Sequence, residues 1–182
     1  MTEWDYKSTV DPVKKAARER KNKHASDVSM TNPEMAKYLI SRVPFEKGDS
    51  VMEPCRGKGA FYDNLPEFVD KYWCEINDGR DYLDQDKMVD YTVTNPPFTP
   101  RKLLWSFCQK AMDTTRKEIY FLINLSCMNV FTTRRLEEMK NKCWYITSQH
   151  IVSDRRWFGR YVFLRITRLK SDYFTWFDGK AF

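Results

Sequence analysis

Apolar and polar positions along the chain follow two periods. Met35, Leu39 and Ile40 recur at helical spacing, which predicts a helix capped by Ser29 or Thr31 and running to about Val43. Pro33 and Glu34 suit its first turn, where a missing N–H costs nothing and a carboxylate meets the helix dipole. Short apolar runs bounded by turn residues come next, at 50–53, 72–76, 91–94 and 119–125. Pro54, Asn77-Asp78-Gly79 and Pro96-Pro97 close the first three of these. Helical patterns lie between them, one from about Ala60, one over 102–112 and a basic one over 132–142. Two further runs, 144–149 and 160–167, are close enough to pair as an antiparallel hairpin appended to the rest. Alternation of helices and strands indicates an α/β layered sheet with mostly parallel strands.

Residues 1–29 hold neither period and read as a basic arm with one helical turn around 13–20, leaving 30–182 as one folded domain. Apolar residues at 42% and aromatics at 15% of the 182-residue chain argue against disorder. No apolar run approaches the ~20 residues that span a bilayer, and Met1 to Asp5 show no signal-peptide pattern, so a cytoplasmic, reducing setting is expected. Five widely spaced cysteines with no C-x-x-C pair fit that setting. They read as buried small hydrophobes rather than a zinc site or disulfide framework, and no metal is expected.

The net charge of +6 is unevenly spread. Residues 46–90 carry twelve acids against six bases, residues 7–23 seven bases against two acids, and residues 134–170 ten bases against three acids. An acidic middle between basic ends points to one surface for a cationic or neutral cofactor and another for a polyanion; a solvated charged surface is the plainer alternative. Lys14, Lys15 and Arg18 in the arm are candidate nucleic-acid contacts. So are Arg155, Arg156 and Trp157 between the last two strands, where cations interleave with aromatics as a phosphate backbone and unstacked bases require. A hairpin tip with core aromatics is the competing reading there.

Two motifs carry chemistry. Glu53-Pro54-Cys55-Arg56-Gly57-Lys58-Gly59-Ala60-Phe61 lies between a strand and a helical pattern, where glycine permits positive φ and close approach of backbone to ligand. The third glycine of a dinucleotide fingerprint is missing. Glu75 stands at the end of the next strand, where a ribose diol binds in doubly wound sheets, and Asp81 and Tyr82 suit an adenine ring. The second motif is Asn95-Pro96-Pro97-Phe98. Two prolines fix φ twice and remove two donors, so the chain turns rigidly and holds an amide, a carbonyl and an aromatic face together. That set suits a planar heterocycle with an exocyclic amine.

These residues resemble those of the S-adenosylmethionine-dependent amino-methyltransferases, most closely the N6-adenine methyltransferases of nucleic acids, over roughly residues 30–167. The resemblance rests on Glu53-Pro54-x-x-Gly57-x-Gly59-Ala60-Phe61 and on Asn95-Pro96-Pro97-Phe98 about 40 residues later. It implies a Rossmann-like class I methyltransferase fold with a mostly parallel seven-stranded sheet and a reversed last strand. Residues 30–182 would then be the catalytic domain and S-adenosylmethionine the cofactor. By the same resemblance, Thr31 and Pro33 help hold the methionine end, and Glu53, Pro54, Gly57 and Gly59 form the floor. Glu75 binds the ribose, Asp81 and Tyr82 the adenine, and Asn95 borders the cofactor as well as the acceptor. Asn95 and Pro96 accept the amine's hydrogens while Phe98 stacks on the base. Arg56 and Lys58 either reach the cofactor carboxylate or face solvent.

DNA is favoured as the polymer, with structured or ribosomal RNA the alternative. No segment reads as the added recognition domain that sequence-specific DNA methylases of this type carry, so specificity is expected to be short, relaxed, delegated to a partner subunit, or replaced by recognition of RNA shape. Two rivals remain: a protein glutamine N5-methyltransferase, which uses a similar Asn-Pro-Pro motif, and a non-catalytic nucleic-acid-binding subunit on the same scaffold.

Overall fold

A computed structural model describes residues 31–155 and 159–171. The expected basic arm, with Lys14, Lys15 and Arg18, and Arg156 and Trp157 of the last connection lie outside the described residues. Six strands form one sheet in the order β2-β1-β3-β4-β6-β5. They are β1 (Ser50–Glu53), β2 (Asp70–Trp73), β3 (Val89–Thr94), β4 (Thr115–Asn124), β5 (Tyr145–Val152) and β6 (Tyr161–Thr167). β1 runs parallel to β2 and β3, and β3 parallel to β4. β6 is antiparallel to both β4 and β5. The fold is thus α/β, mostly parallel, with a reversed last strand. The expected hairpin is appended at the β4 edge of the parallel strands, with β6 between β4 and β5 and β5 outermost.

That order has a visible cause in the apolar pattern. In β4, Ile119, Phe121 and Ile123 face one side of the sheet while Tyr120 and Leu122 face the other, and all five are buried. In β6, Val162, Leu164 and Ile166 share the first face and Tyr161 and Phe163 the second. Strands apolar on both faces belong at the centre of a covered sheet. β5 is half-polar and takes the edge. α1 (Pro33–Ile40) covers one face through Ala36, Leu39 and Ile40. α2 (Arg101–Thr114) and α3 (Thr133–Asn141) cover the other through Leu104, Phe107, Ala111 and Met139, joined by Trp144.

Several expectations are corrected. A sheet of seven strands is not found among the described residues: the chain between β2 and β3 is too short for a second crossover of a dozen or more residues plus a strand, and it forms two 3-10 turns, Ile76–Asp78 and Tyr82–Asp84. The helix expected from Ala60 is a single 3-10 turn, Tyr62–Asn64, since Pro66 holds Leu65 extended. β2 begins at Asp70 rather than Tyr72 and ends before Glu75, which caps the next turn. β4 starts at Thr115, directly after α2, and α1 ends at Ile40. The cap of α1 is Asn32, whose side chain accepts the Glu34 N–H at 3.0 Å, rather than Ser29 or Thr31.

Candidate active site

In this topology the chain leaves β1 toward β2 on one side, while β3 lies on the other. The carboxyl ends of β1 and β3 therefore diverge and leave a crevice, as open α/β sheets do where strand order reverses. A cleft of about 480 Å³ opens there, within the usual range for small-molecule sites. Its walls come from the end of β1 and the connection after it (Glu53 to Lys58, Ala60 and Phe61), the turn after β2 (Glu75 to Asp78), Asp81 to Leu83, the Asn95–Phe98 turn, Leu103 and Phe107 of α2, and Thr31. Residues far apart in the chain thus converge as the sequence patterns anticipated, with three exceptions considered below.

The glycine-bearing connection is held by backbone bonds to its neighbours. Arg56 N–H donates to the Cys74 carbonyl at 3.0 Å, and Gly59 N–H to the Arg56 carbonyl at 2.8 Å. Gly57 and Gly59 both take positive φ, +53° and +86°, which side-chain-bearing residues adopt only with strain. The Glu75 carboxylate accepts the Gly57 N–H through Oε2 (2.8 Å) and the Asn77 N–H through Oε1 (3.1 Å). A carboxylate offers about four lone-pair sites, so acceptor capacity is left for a diol. Asp81 caps the following turn by accepting the Leu83 N–H at 2.9 Å.

Glu53 lies on the cleft wall, yet is only 2% exposed. Burial pushes its carboxyl well above the usual carboxylate range, with the Tyr62 N–H and the Arg56 charge pulling the other way and Asp63 and Glu75 adding to the rise. Its Oε2 has no hydrogen-bond partner among the described residues. A buried, unsatisfied oxygen is costly unless a ligand completes it, and a cationic group is the complement its chemistry calls for. Beside it, burial raises the Cys55 thiol well above its ordinary pKa, so that thiol is no ready nucleophile.

At the far wall the Asn95 side chain donates through Nδ2 to the Thr31 hydroxyl at 3.2 Å, across 64 residues of sequence. Pro96 is buried, and Phe98 is half-buried against both faces of the core and meets Tyr161 edge-on, ring centroids 6.4 Å apart. The β5–β6 connection returns to this same end of the sheet. The Leu125 N–H donates to the Arg160 carbonyl at 2.8 Å, which ties the end of that connection beside β4, and Arg155 and Arg160 are exposed.

The three exceptions are Pro33, Gly59 and Tyr82. Pro33 is exposed on the first turn of α1 and does not line the cleft. Gly59 is buried behind the loop, its pro-Cβ direction 2.7 Å from the Asp63 carboxylate, so it shapes the connection without lining the cleft. Tyr82 borders the cleft but is 1% exposed, its hydroxyl 3.3 Å from Thr114, and offers no free ring face. Leu83, Leu103 and Phe107 line that region instead. The last two stand at i and i+4 on α2, a helix the sequence predicted without showing which cleft it would border. Arg56, left open between cofactor and solvent, is held against rings: its guanidinium lies 4.9 Å from the centroids of both Tyr62 and Trp73.

No protein-family model matches the sequence, and no curated protein does. Solved structures do match. One, from Listeria monocytogenes, is named as a class I S-adenosylmethionine-dependent methyltransferase; it is 13% identical at a TM-score of 0.60, over 77% of this chain and 60% of that one. Magnesium protoporphyrin IX methyltransferase from Synechocystis, solved with bound S-adenosylmethionine, is 10% identical at a TM-score of 0.56, over 88% of this chain and 85% of that one. A protein from Vibrio vulnificus named as the modification subunit of a type I restriction enzyme is 14% identical at 0.56, over 85% and 48%. The chain has the Rossmann-like fold of the class I methyltransferases.

Proposed function

We propose that this protein is an S-adenosylmethionine-dependent methyltransferase that methylates the exocyclic N6 amine of adenine in nucleic acid, with residues 30–182 as its catalytic domain. The observation that carries this is the placement of the Asn95 amide, on a rigid Pro-Pro turn, in the wall of the cleft that Glu53 and Glu75 also line. The residues present fit the cofactor. Glu53 has an unpartnered oxygen for a cationic group, Glu75 has spare acceptor capacity for the ribose, and Gly57 takes a positive φ that lets backbone approach a ligand closely. Asp81 and the apolar wall at Leu83 and Phe107 suit a planar ring.

When bound, the cofactor supplies an electrophilic methyl group on a sulfonium. The chain's own task is the nucleophile, because the adenine amine gives its lone pair to the ring. The Asn95 Oδ1 and the Pro96 carbonyl accept the amine's two N–H bonds, draw electron density onto nitrogen and favour a pyramidal geometry. This is electrostatic stabilisation with positioning, and no strong base is required. Phe98 stacks on the base. Such stacking, at ~1–3 kcal/mol, offsets much of the few kcal/mol that extrusion from a duplex costs.

The polymer reading rests on charge. Arg101, Lys102, Arg134, Arg155 and Arg160 follow the carboxyl ends of the strands, are exposed, and form no ion pair among the described residues. Lys110, Arg116, Lys117, Lys142 and Arg165, toward the other end, are each tied to a carboxylate. Unpaired cations around the acceptor side favour a phosphate backbone over a protein glutamine. DNA is the polymer to test first and RNA the second. Asn95→Ala should lower the rate of methyl transfer by at least ~10²-fold, the scale of a lost transition-state hydrogen-bonding group, with cofactor affinity nearly unchanged by calorimetry. Wild-type turnover in that variant would refute the role given to Asn95.

A further inference from the structure

We infer that Thr31 is a positioning residue that acts through Asn95: its hydroxyl fixes which end of the Asn95 amide faces the acceptor amine. This rests on the reading of Asn95 as the amine's acceptor. A primary amide has two ends of nearly equal shape and opposite chemistry, an NH₂ that donates and an oxygen that accepts. An acceptor amine needs the oxygen; the NH₂ in its place would oppose donor to donor. Backbone rigidity does not settle this choice. The Pro96-Pro97 turn fixes where Asn95 stands, but rotation about its last side-chain bond is broad.

Thr31 bears directly on it. Asn95 Nδ2 donates to Thr31 Oγ1 at 3.2 Å, and both residues line the cleft. The hydroxyl is itself on a fixed platform. Asn32, the next residue, caps α1 by accepting the Glu34 N–H at 3.0 Å. Behind it α1 is anchored by Ala36 and Leu39, both fully buried. With its nitrogen end tethered, the amide's other end is Oδ1, which is buried. The resemblance to known methyltransferases would give Thr31 to the cofactor; the geometry gives its hydroxyl a partner on the acceptor side.

The test compares Thr31→Val, which keeps the shape and removes the oxygen, with Thr31→Ser, which keeps the hydroxyl. Single-turnover methyl transfer by the full chain at saturating S-adenosylmethionine should slow on the order of tenfold in the Val variant and return to within about threefold of wild type in the Ser variant, the scale of one neutral hydrogen bond. Cofactor affinity should stay within about twofold in both. A second readout needs no activity: by NMR, the Asn95 side-chain amide protons should be protected from exchange in wild type and Thr31→Ser and lose that protection in Thr31→Val. A Val variant with the wild-type rate and weakened cofactor binding overturns the inference and gives the hydroxyl to the cofactor. A Ser variant as slow as the Val variant also overturns it, by tracing the effect to packing. A wild-type protein that transfers no methyl although its Asn95 amide is protected refutes the methyltransferase reading itself, and is distinguished from both by the NMR result.

Discussion

Glu53 is the residue whose environment most needs a reason. Its carboxyl is buried, is held mainly by the Tyr62 N–H, and keeps one oxygen without a partner, an arrangement that would be selected against if packing alone were at stake. Burial raises its folded-state pKa above the unfolded carboxylate value of about 4.3. The stability it contributes as a neutral acid is therefore complete below that value and is lost as pH rises through the shifted pKa. Glu53→Gln stays neutral throughout. In cofactor-free protein, the urea midpoint of wild type should fall relative to that of the variant as pH is raised from about 5 to 8. Parallel curves would show that the carboxyl is not strained by burial. Residue identity at the ends of β1 and β3 was legible in the sequence because Pro54 and Pro96-Pro97 mark both strand ends. The environment of Tyr82 was not, since its burial depends on Thr114 across 32 residues.

Among the elements, the connection from β1 to β2 decides whether the cleft exists. Gly59 sits there at φ +86°, and a Cβ at this position would lie 2.7 Å from the Asp63 carboxylate. Asp63 is exposed and can swing aside, so the cost of Gly59→Ala comes chiefly from the backbone, about 1–2 kcal/mol for a left-handed residue with a side chain. Chemical denaturation should show a loss of that size together with weaker cofactor binding. A variant as stable and as tightly binding as wild type would mean the loop has another accessible conformation. Strands were readable at this scale because β4 and β6 are apolar on both faces and β3 alternates apolar with polar residues, whereas the helix expected after Ala60 was not, because Pro66 ends it after one turn. Sheet order was hidden too. Two short strands in succession read correctly as an edge hairpin, but which of them lies inside was hidden, and the two buried faces of β6 show why it, and not β5, adjoins β4.

Across the whole molecule, the charge pattern divides differently from its order in the chain. The acid-rich run at 46–90 does not make one surface. Glu46, Asp49, Asp86 and Asp90 pair with lysines and arginines toward the end opposite the cleft, while Glu53, Glu75 and Asp81 line it. The basic ends divide as well, with Arg165 committed to Glu118 and Arg155 and Arg160 left at the acceptor side. Arg155→Ala with Arg160→Ala should weaken nucleic-acid binding and reduce its log–log salt slope by about 2, close to one per phosphate contact removed. An unchanged slope would place the polymer elsewhere.

Methyl transfer to an adenine amine leaves a product that mass analysis identifies. Purified protein is incubated with S-adenosylmethionine carrying a labelled methyl group and, in parallel, with DNA, RNA and protein pools, and the products are digested and identified by mass. Label should appear in N6-methyladenine from a nucleic-acid pool and be absent with Asn95→Ala. Label in glutamine, or in no pool despite bound cofactor, would contradict methyl transfer to adenine.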